Sequence, residues 1–164
     1  MKLFVGGDHA GFELKKELIE FLKSEGHDVT DFGAFEMKPE DDYPDFVIPV
    51  AKAVAGNPLS RGIIIGGSGQ GEAICANRFK GIRAVVFNGV SKRSDLKSGE
   101  RSDLSYPDEI KLSREHNDSN VLSLGARFLN FDEVKEAVSK WLATPFSNEE
   151  RHIRRLSKIK SLGC

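Results

Sequence analysis

Short apolar runs alternate with stretches of helical periodicity along most of this chain, and that alternation limits the possible folds more than any other feature. Leu3-Phe4-Val5 reads as a first strand. From Gly11 to Ser24, Phe12, Leu14, Leu18, Ile19, Phe21 and Leu22 recur at helical spacing up to Gly26, a suitable C-terminal glycine. His27 to Phe32 is a second predicted strand. After a polar stretch with Pro39 and Pro44, a helix is predicted from about Asp45 to Ala55, with Pro49 in its first turn and Gly56-Asn57-Pro58 ending it. Gly62 to Ile65 forms a third strand, followed by a glycine-rich loop and a helix to Phe79. Ile82 to Phe87 and Asn120 to Leu124 supply the fourth and fifth strands. Phe131 to Leu142, opened by Asn130 or Asp132, and Glu149 to Leu162 are the last helices. Strands separated by helices predict an α/β fold: a parallel sheet covered on both faces, with ligands outside the carboxyl ends of the strands.

At 164 residues the chain has the size of one domain, so a single unit over residues 1–164 is expected. Ser91 to Lys111 is too polar for a core element and is predicted as a loop, partly helical at best. A net charge of -1 gives no reason to expect nucleic acid as a partner. No apolar run approaches the roughly 20 residues that span a bilayer, and Met1 to Val5 enters a strand with no signal-type segment. A cytoplasmic protein without a membrane partner is the expectation. Cys75 and Cys164 lie far apart, which suggests neither a disulfide framework nor a zinc site.

The loop after the third strand, Gly66-Gly67-Ser68-Gly69-Gln70-Gly71-Glu72, bears most directly on chemistry. Gly66 and Gly71 have P-loop spacing, but Glu72-Ala73 follows where Lys and Ser/Thr would reach phosphate and magnesium. The dinucleotide fingerprint begins at Gly67 and Gly69 and then meets Glu72 in place of its third glycine, which argues against a nucleotide-binding module. Backbone N–H groups remain available to a developing anion. A carboxylate beside them suits removal of a proton from carbon next to a carbonyl. An acid in the first turn of a helix is also favoured by the helix dipole alone, and the loop by itself leaves both readings open.

Three other clusters can carry chemistry. Asp8-His9-Ala10-Gly11 follows the first strand as the glycine loop follows the third, and Asp8 suits acid/base work, a helix cap, or both. Ser113 to Asp118 concentrates proton donors and acceptors before the fifth strand. Arg151 to Lys160 holds five Lys/Arg and no acid. Arg151 and Arg155 share a face at i and i+4, a spacing that grips a phosphate or simply forms an exposed basic surface, while Ile153, Leu156 and Ile159 are expected to pack inward.

Taken in order, DHAGFELK, DYPDF, GIIIGGSGQGEAICANR, GIRAVV, SREHNDSNVLSLGAR and RHIRR cover nearly the whole chain. The set resembles the ribose-5-phosphate isomerase B family, which includes the galactose-6-phosphate isomerase subunits. The resemblance implies a Rossmann-like three-layer α/β/α sandwich with a five-stranded parallel sheet. It also implies an aldose–ketose isomerase acting on a phosphorylated sugar without metal or cofactor, as a homodimer or dimer of dimers with shared sites. By position, Asp8 and His116 resemble the ring-opening pair, and His9 lies beside the phosphate or ring oxygen. Arg127, Arg151 and Arg155 resemble the phosphate clamp, and Tyr43 and Asn117 line the substrate. The same resemblance implies that Gly67, Ser68, Gly69 and Gly71 form the anion hole, with Ser68 moving a proton between substrate oxygens. Many members carry a cysteine base at the position of Gly66; the branch with G-G-S-G-x-G-E assigns the base to the glutamate, here Glu72. Ser91 to Lys111 resembles an insertion that leaves the sugar open: ribose 5-phosphate first, a galactose or allose 6-phosphate as the alternative, or sugar-phosphate binding without turnover.

Overall fold

The apolar runs become β1 (Lys2–Gly7), β2 (Asp28–Asp31), β3 (Arg61–Gly66), β4 (Ala84–Phe87) and β5 (Val121–Gly125), all parallel, in the spatial order β2-β1-β3-β5-β4. This computed structural model describes residues 1–89 and 108–162. β3 is central because it is apolar on both faces: Ile63, Ile64 and Ile65 are all fully buried. Alternate residues of a strand point to opposite faces, so the sheet serves two cores. On one face Val5, Ile63, Ile65, Leu122 and Leu124 meet α1 (Phe12–Ser24) and α5 (Phe131–Ala143). On the other, Phe4, Ile64 and Val121 meet Val47, Val50 and Val54 of α2 (Tyr43–Ala55) and Ala76 of α3 (Gln70–Ala76). The expected three-layer α/β/α sandwich with a five-stranded parallel sheet is the observed fold.

Several boundaries differ for local reasons. α2 starts at Tyr43 because Pro44 occupies the first turn, where a missing N–H costs nothing; Pro49 is therefore interior, not in the first turn. Asn130, rather than Asp132, caps α5 through a reciprocal capping box with Glu133. α4 (Glu109–Glu115) begins inside the segment expected to be a loop and is capped by the Asp108 side chain on the Lys111 N–H. The rest of that segment, 91–107, and Cys164 lie outside the described residues. The largest correction concerns α6 (Glu150–Lys160): Ile153 and Ile159 are exposed rather than packed inward, and the residue buried is His152. No helix among the described residues is long and apolar enough to cross a membrane.

A buried polar chain ties the start of β5 to α5. Trp141 is fully buried and donates its indole N–H to Ser119 Oγ at 2.8 Å, while Ser119 Oγ also pairs with Ser113 Oγ at 3.1 Å. The Arg114 guanidinium, also buried, bonds the Ser119 and Thr144 carbonyls. Trp141→Phe keeps an aromatic ring but removes the indole N–H that Ser119 Oγ accepts and part of a fully buried side chain, a change expected to cost about 1–3 kcal/mol. Urea unfolding should show a lower midpoint with an unchanged slope.

Candidate active site

Parallel strands place the loops after β1, β3 and β5 along one edge of the sheet, and the chain leaves β1 and β3 in opposite directions, which opens a crevice between them. The turn after β3 is closed by Gly69 in the left-handed region at φ +74°, a conformation with no Cβ penalty for glycine, and α3 starts at once. The end of β5 is stitched to this turn: Ala126 N–H donates to Gly66 O at 2.8 Å, Arg127 N–H to Gly67 O at 3.1 Å, and Ser123 Oγ to Gly69 O at 2.6 Å. The N–H groups of Gly67, Ser68 and Gly69 have no acceptor among the described residues.

Glu72 lies on the first turn of α3 yet is only 4% exposed. Its carboxylate folds back over β3, and a Cβ on Gly66 would sit 1.7 Å from Glu72 Oε1. The acid thus occupies the space a side chain at residue 66 would take. Burial raises its pKa above the usual glutamate value, opposed by a hydrogen bond from its own backbone N–H and reinforced by the charge of Asp8. Asp8 is buried as well; burial raises its pKa although it accepts from the Ala10 and Gly11 N–H groups, so it does cap the short helical turn after β1. The Tyr43 ring lies against Gly71, and the Arg127 guanidinium against Gly67. Cys75, three residues beyond Glu72, packs in the α2/α3 core, and burial pushes its thiol upward.

The remaining expected residues sit elsewhere. His116 caps the C-terminus of α4 and Asn117 follows it, both at the amino end of β5. Asn120, just beyond, accepts through its carbonyl from Gly62 N–H at the start of β3. A five-residue strand separates this edge from Arg127, about 16 Å at the usual rise per residue. The His116 ring stacks on His152 of α6, with centroids 4.1 Å apart and planes at 13°, which brings the helix of Arg151 and Arg155 to the same turn. Asp8, His9, Tyr43, Gly67–Gly71, Glu72 and Arg127 therefore gather at one edge, while His116, Asn117, Arg151 and Arg155 gather at the other. No hydrogen bond, ion pair or ring contact among the described residues joins the groups.

Two residues in contact with the expected site residues escape a reading of spacing. His152 is buried, its Nε2 without a hydrogen-bond partner among the described residues and 3.9 Å from Glu149 Oε2, and burial, the neighbouring His116 and Arg151 lower its pKa; the one clue is its phase, shared with Leu156 and Ile159 at i+4 and i+7 on a helix of charged residues. Asp41 is the other, and nothing in the run Glu40-Asp41-Asp42 separates it from a solvated acid.

Comparison with known proteins fits this geometry. The family model described as Ribose/Galactose Isomerase matches residues 3–95 and 104–159. The chain belongs to the ribose/galactose isomerase family. A relative named ribose-5-phosphate isomerase B from Mycobacterium leprae is 36% identical over 156 residues, covering 95% of this chain and 86% of the relative. Among solved members, ribose-5-phosphate isomerase B of Clostridium thermocellum superposes with a TM-score of 0.83 at 40% identity, covering 99% of this chain and 97% of that one. The Mycoplasma genitalium enzyme, solved with bound ribulose-5-phosphate, gives 0.84 at 33% identity, covering 98% and 94%. The family match breaks at 96–103, inside the segment read as an insertion.

The raised pKa of Glu72 fixes the sign of a stability effect. Its folded form holds the proton more tightly than the unfolded chain, so the contribution is full below the ordinary value of 4.5 and is lost as pH rises through the raised value. Glu72→Gln removes a buried charge at neutral pH. Its Tm should exceed the parent's at pH 7 to 8, with the difference shrinking toward pH 4.

Proposed function

We propose that the chain interconverts ribose 5-phosphate and ribulose 5-phosphate, with Glu72 as the base. The carrying observation is the buried Glu72 carboxylate, lodged over Gly66 in a loop with three N–H groups that have no acceptor among the described residues. A base of raised proton affinity next to preorganised donors is what enediolate chemistry requires. The relatives and structures named above, one of them holding ribulose-5-phosphate, favour the pentose over a hexose phosphate.

Asp8 and His116 move the protons that open the furanose. Glu72 then takes the proton from C2, the C–H electron pair forms the C1–C2 double bond, and the C1 carbonyl oxygen becomes the enediolate oxygen held by the amides of Gly67, Ser68, Gly69 and Gly71. The same carboxyl returns its proton to C1 while Ser68 passes the O2 proton to O1, which leaves a ketone at C2. Tyr43, His9 and Asn117 line the sugar, and Arg127, Arg151 and Arg155 hold the phosphate. Since the two groups of residues lie at opposite sheet edges of one chain, the reading includes an assembly in which His116, Asn117, Arg151 and Arg155 of one copy meet Glu72 of another. A homodimer satisfies it, and a dimer of dimers repeats it. The whole described chain then acts as one isomerase domain.

Assayed on a panel of pentose and hexose phosphates, the protein should turn over ribose 5-phosphate with the highest kcat/KM and, in deuterated water, place deuterium on carbon. Glu72→Gln should lower kcat by about 100-fold or more with a modest change in KM. Near-normal turnover in that variant overturns the base assignment. The shared site has its own test: Glu72→Gln and His116→Ala chains, each inactive alone, should regain about a quarter of the parent activity when unfolded and refolded together as a dimer. No recovery in correctly assembled mixtures overturns it.

A further inference from the structure

The loop before α2 reaches back to the end of β1 through one side chain. Asp41 Oδ1 accepts two hydrogen bonds from the same residue, 3.0 Å from the His9 backbone N–H and 2.6 Å from His9 Nδ1. The Asp41 side chain is only 10% exposed, against 28% for His9, and its second oxygen, Oδ2, is buried without a hydrogen-bond partner among the described residues. A carboxylate in that state is not a solvated surface acid; burying it has a desolvation cost that the His9 contacts offset. His9 Nε2 is the ring nitrogen with no hydrogen-bond partner among the described residues, and it belongs to the residue directly after Asp8 at the mouth of the crevice.

An ionised carboxylate has no proton to donate, so a ring nitrogen 2.6 Å away must carry the hydrogen. Which nitrogen of a histidine is protonated is set by the hydrogen bond the other makes. We propose that Asp41 is a positioning residue for the isomerase: it pins the His9 proton to Nδ1 and fixes the ring, so that the Nε2 lone pair is what the ring presents to a hydroxyl of the substrate. The chelate from one oxygen to both the main chain and the ring locks the imidazole against rotation as well as against tautomer exchange. Without Asp41, a neutral imidazole is free to hold its proton on Nε2, and a lone pair that meets a substrate hydroxyl is lost. The role rests on the proposed sugar-phosphate site, and it adds a residue from the loop that leads into Tyr43.

The test uses the full chain and reads His9 directly. Histidine-selective long-range proton–nitrogen correlation on the parent should show His9 as the Nδ1–H tautomer. Asp41→Asn keeps an oxygen that accepts both bonds without the charge; it should retain the tautomer and stay within about threefold of parent kcat/KM. Asp41→Ala should shift His9 toward the Nε2–H form and lower kcat/KM by about 10- to 100-fold, the scale on which losing an orienting partner acts at histidine sites, with Tm little changed. An Nε2–H tautomer in the parent overturns the proposal, as does an Asp41→Asn variant as impaired as Asp41→Ala. The tautomer measurement needs no turnover, so a parent inactive on ribose 5-phosphate but showing Nδ1–H at His9 separates failure of the function from failure of this role.

Discussion

All five strands run the same way, and that single constraint decides what one copy of this chain can and cannot build. A parallel sheet sends every strand-to-helix loop to one edge and every helix-to-strand loop to the other. Asp8, the glycine loop and Arg127 follow strands; His116 and Asn117 precede one. The separation is enforced by the length of β3 and β5, whose backbones are hydrogen-bonded along their full register and cannot fold the edges together. The α6 helix adds its arginines to the amino edge because a buried imidazole, not an aliphatic residue, stacks on His116.

At the carboxyl edge, rigidity is supplied in layers. The turn after β3 has its carbonyls committed to β5 and to Ser123, which leaves N–H groups directed away from the sheet. Beneath it lies the run Ile63–Ile65, whose buried side chains carry no polar atom that could compete for those amides. Lys15 supports the neighbouring loop: its buried ammonium lies 2.6 Å from both oxygens of Asp31, and Asp31 in turn accepts from Gly33 N–H. Such placement on strand ends holds donors and acid at fixed distances, the condition for preorganised electrostatics.

The fold was legible in the sequence because its signals are redundant. Alternation of apolar runs and helical periods, Gly26 and Asn130 agree on where elements start and stop, whereas Pro44 was read outside the helix whose first turn it occupies. Glu72 was legible as an odd acid in a glycine loop, but its burial was not, since folding back over β3 depends on the missing Cβ of Gly66. α4 was missed because it is seven residues long and offers Ile110 and Leu112 as its apolar residues, too few for a period to register. His152 and Asp41 were invisible for a different reason: a histidine among arginines and an acid among acids acquire meaning only through partners 36 and 32 residues away.

The close fit between Glu72 and Gly66 also bears on how such a site can change over generations. A thiol on residue 66 and the carboxylate as it lies here claim the same volume, since a Cβ at 66 would fall 1.7 Å from Oε1. They are therefore alternative tenants rather than cumulative ones. A side chain at residue 66 therefore requires the flexible carboxyl end of Glu72 to swing aside, so the acid keeps its present place over β3 only while residue 66 stays a glycine.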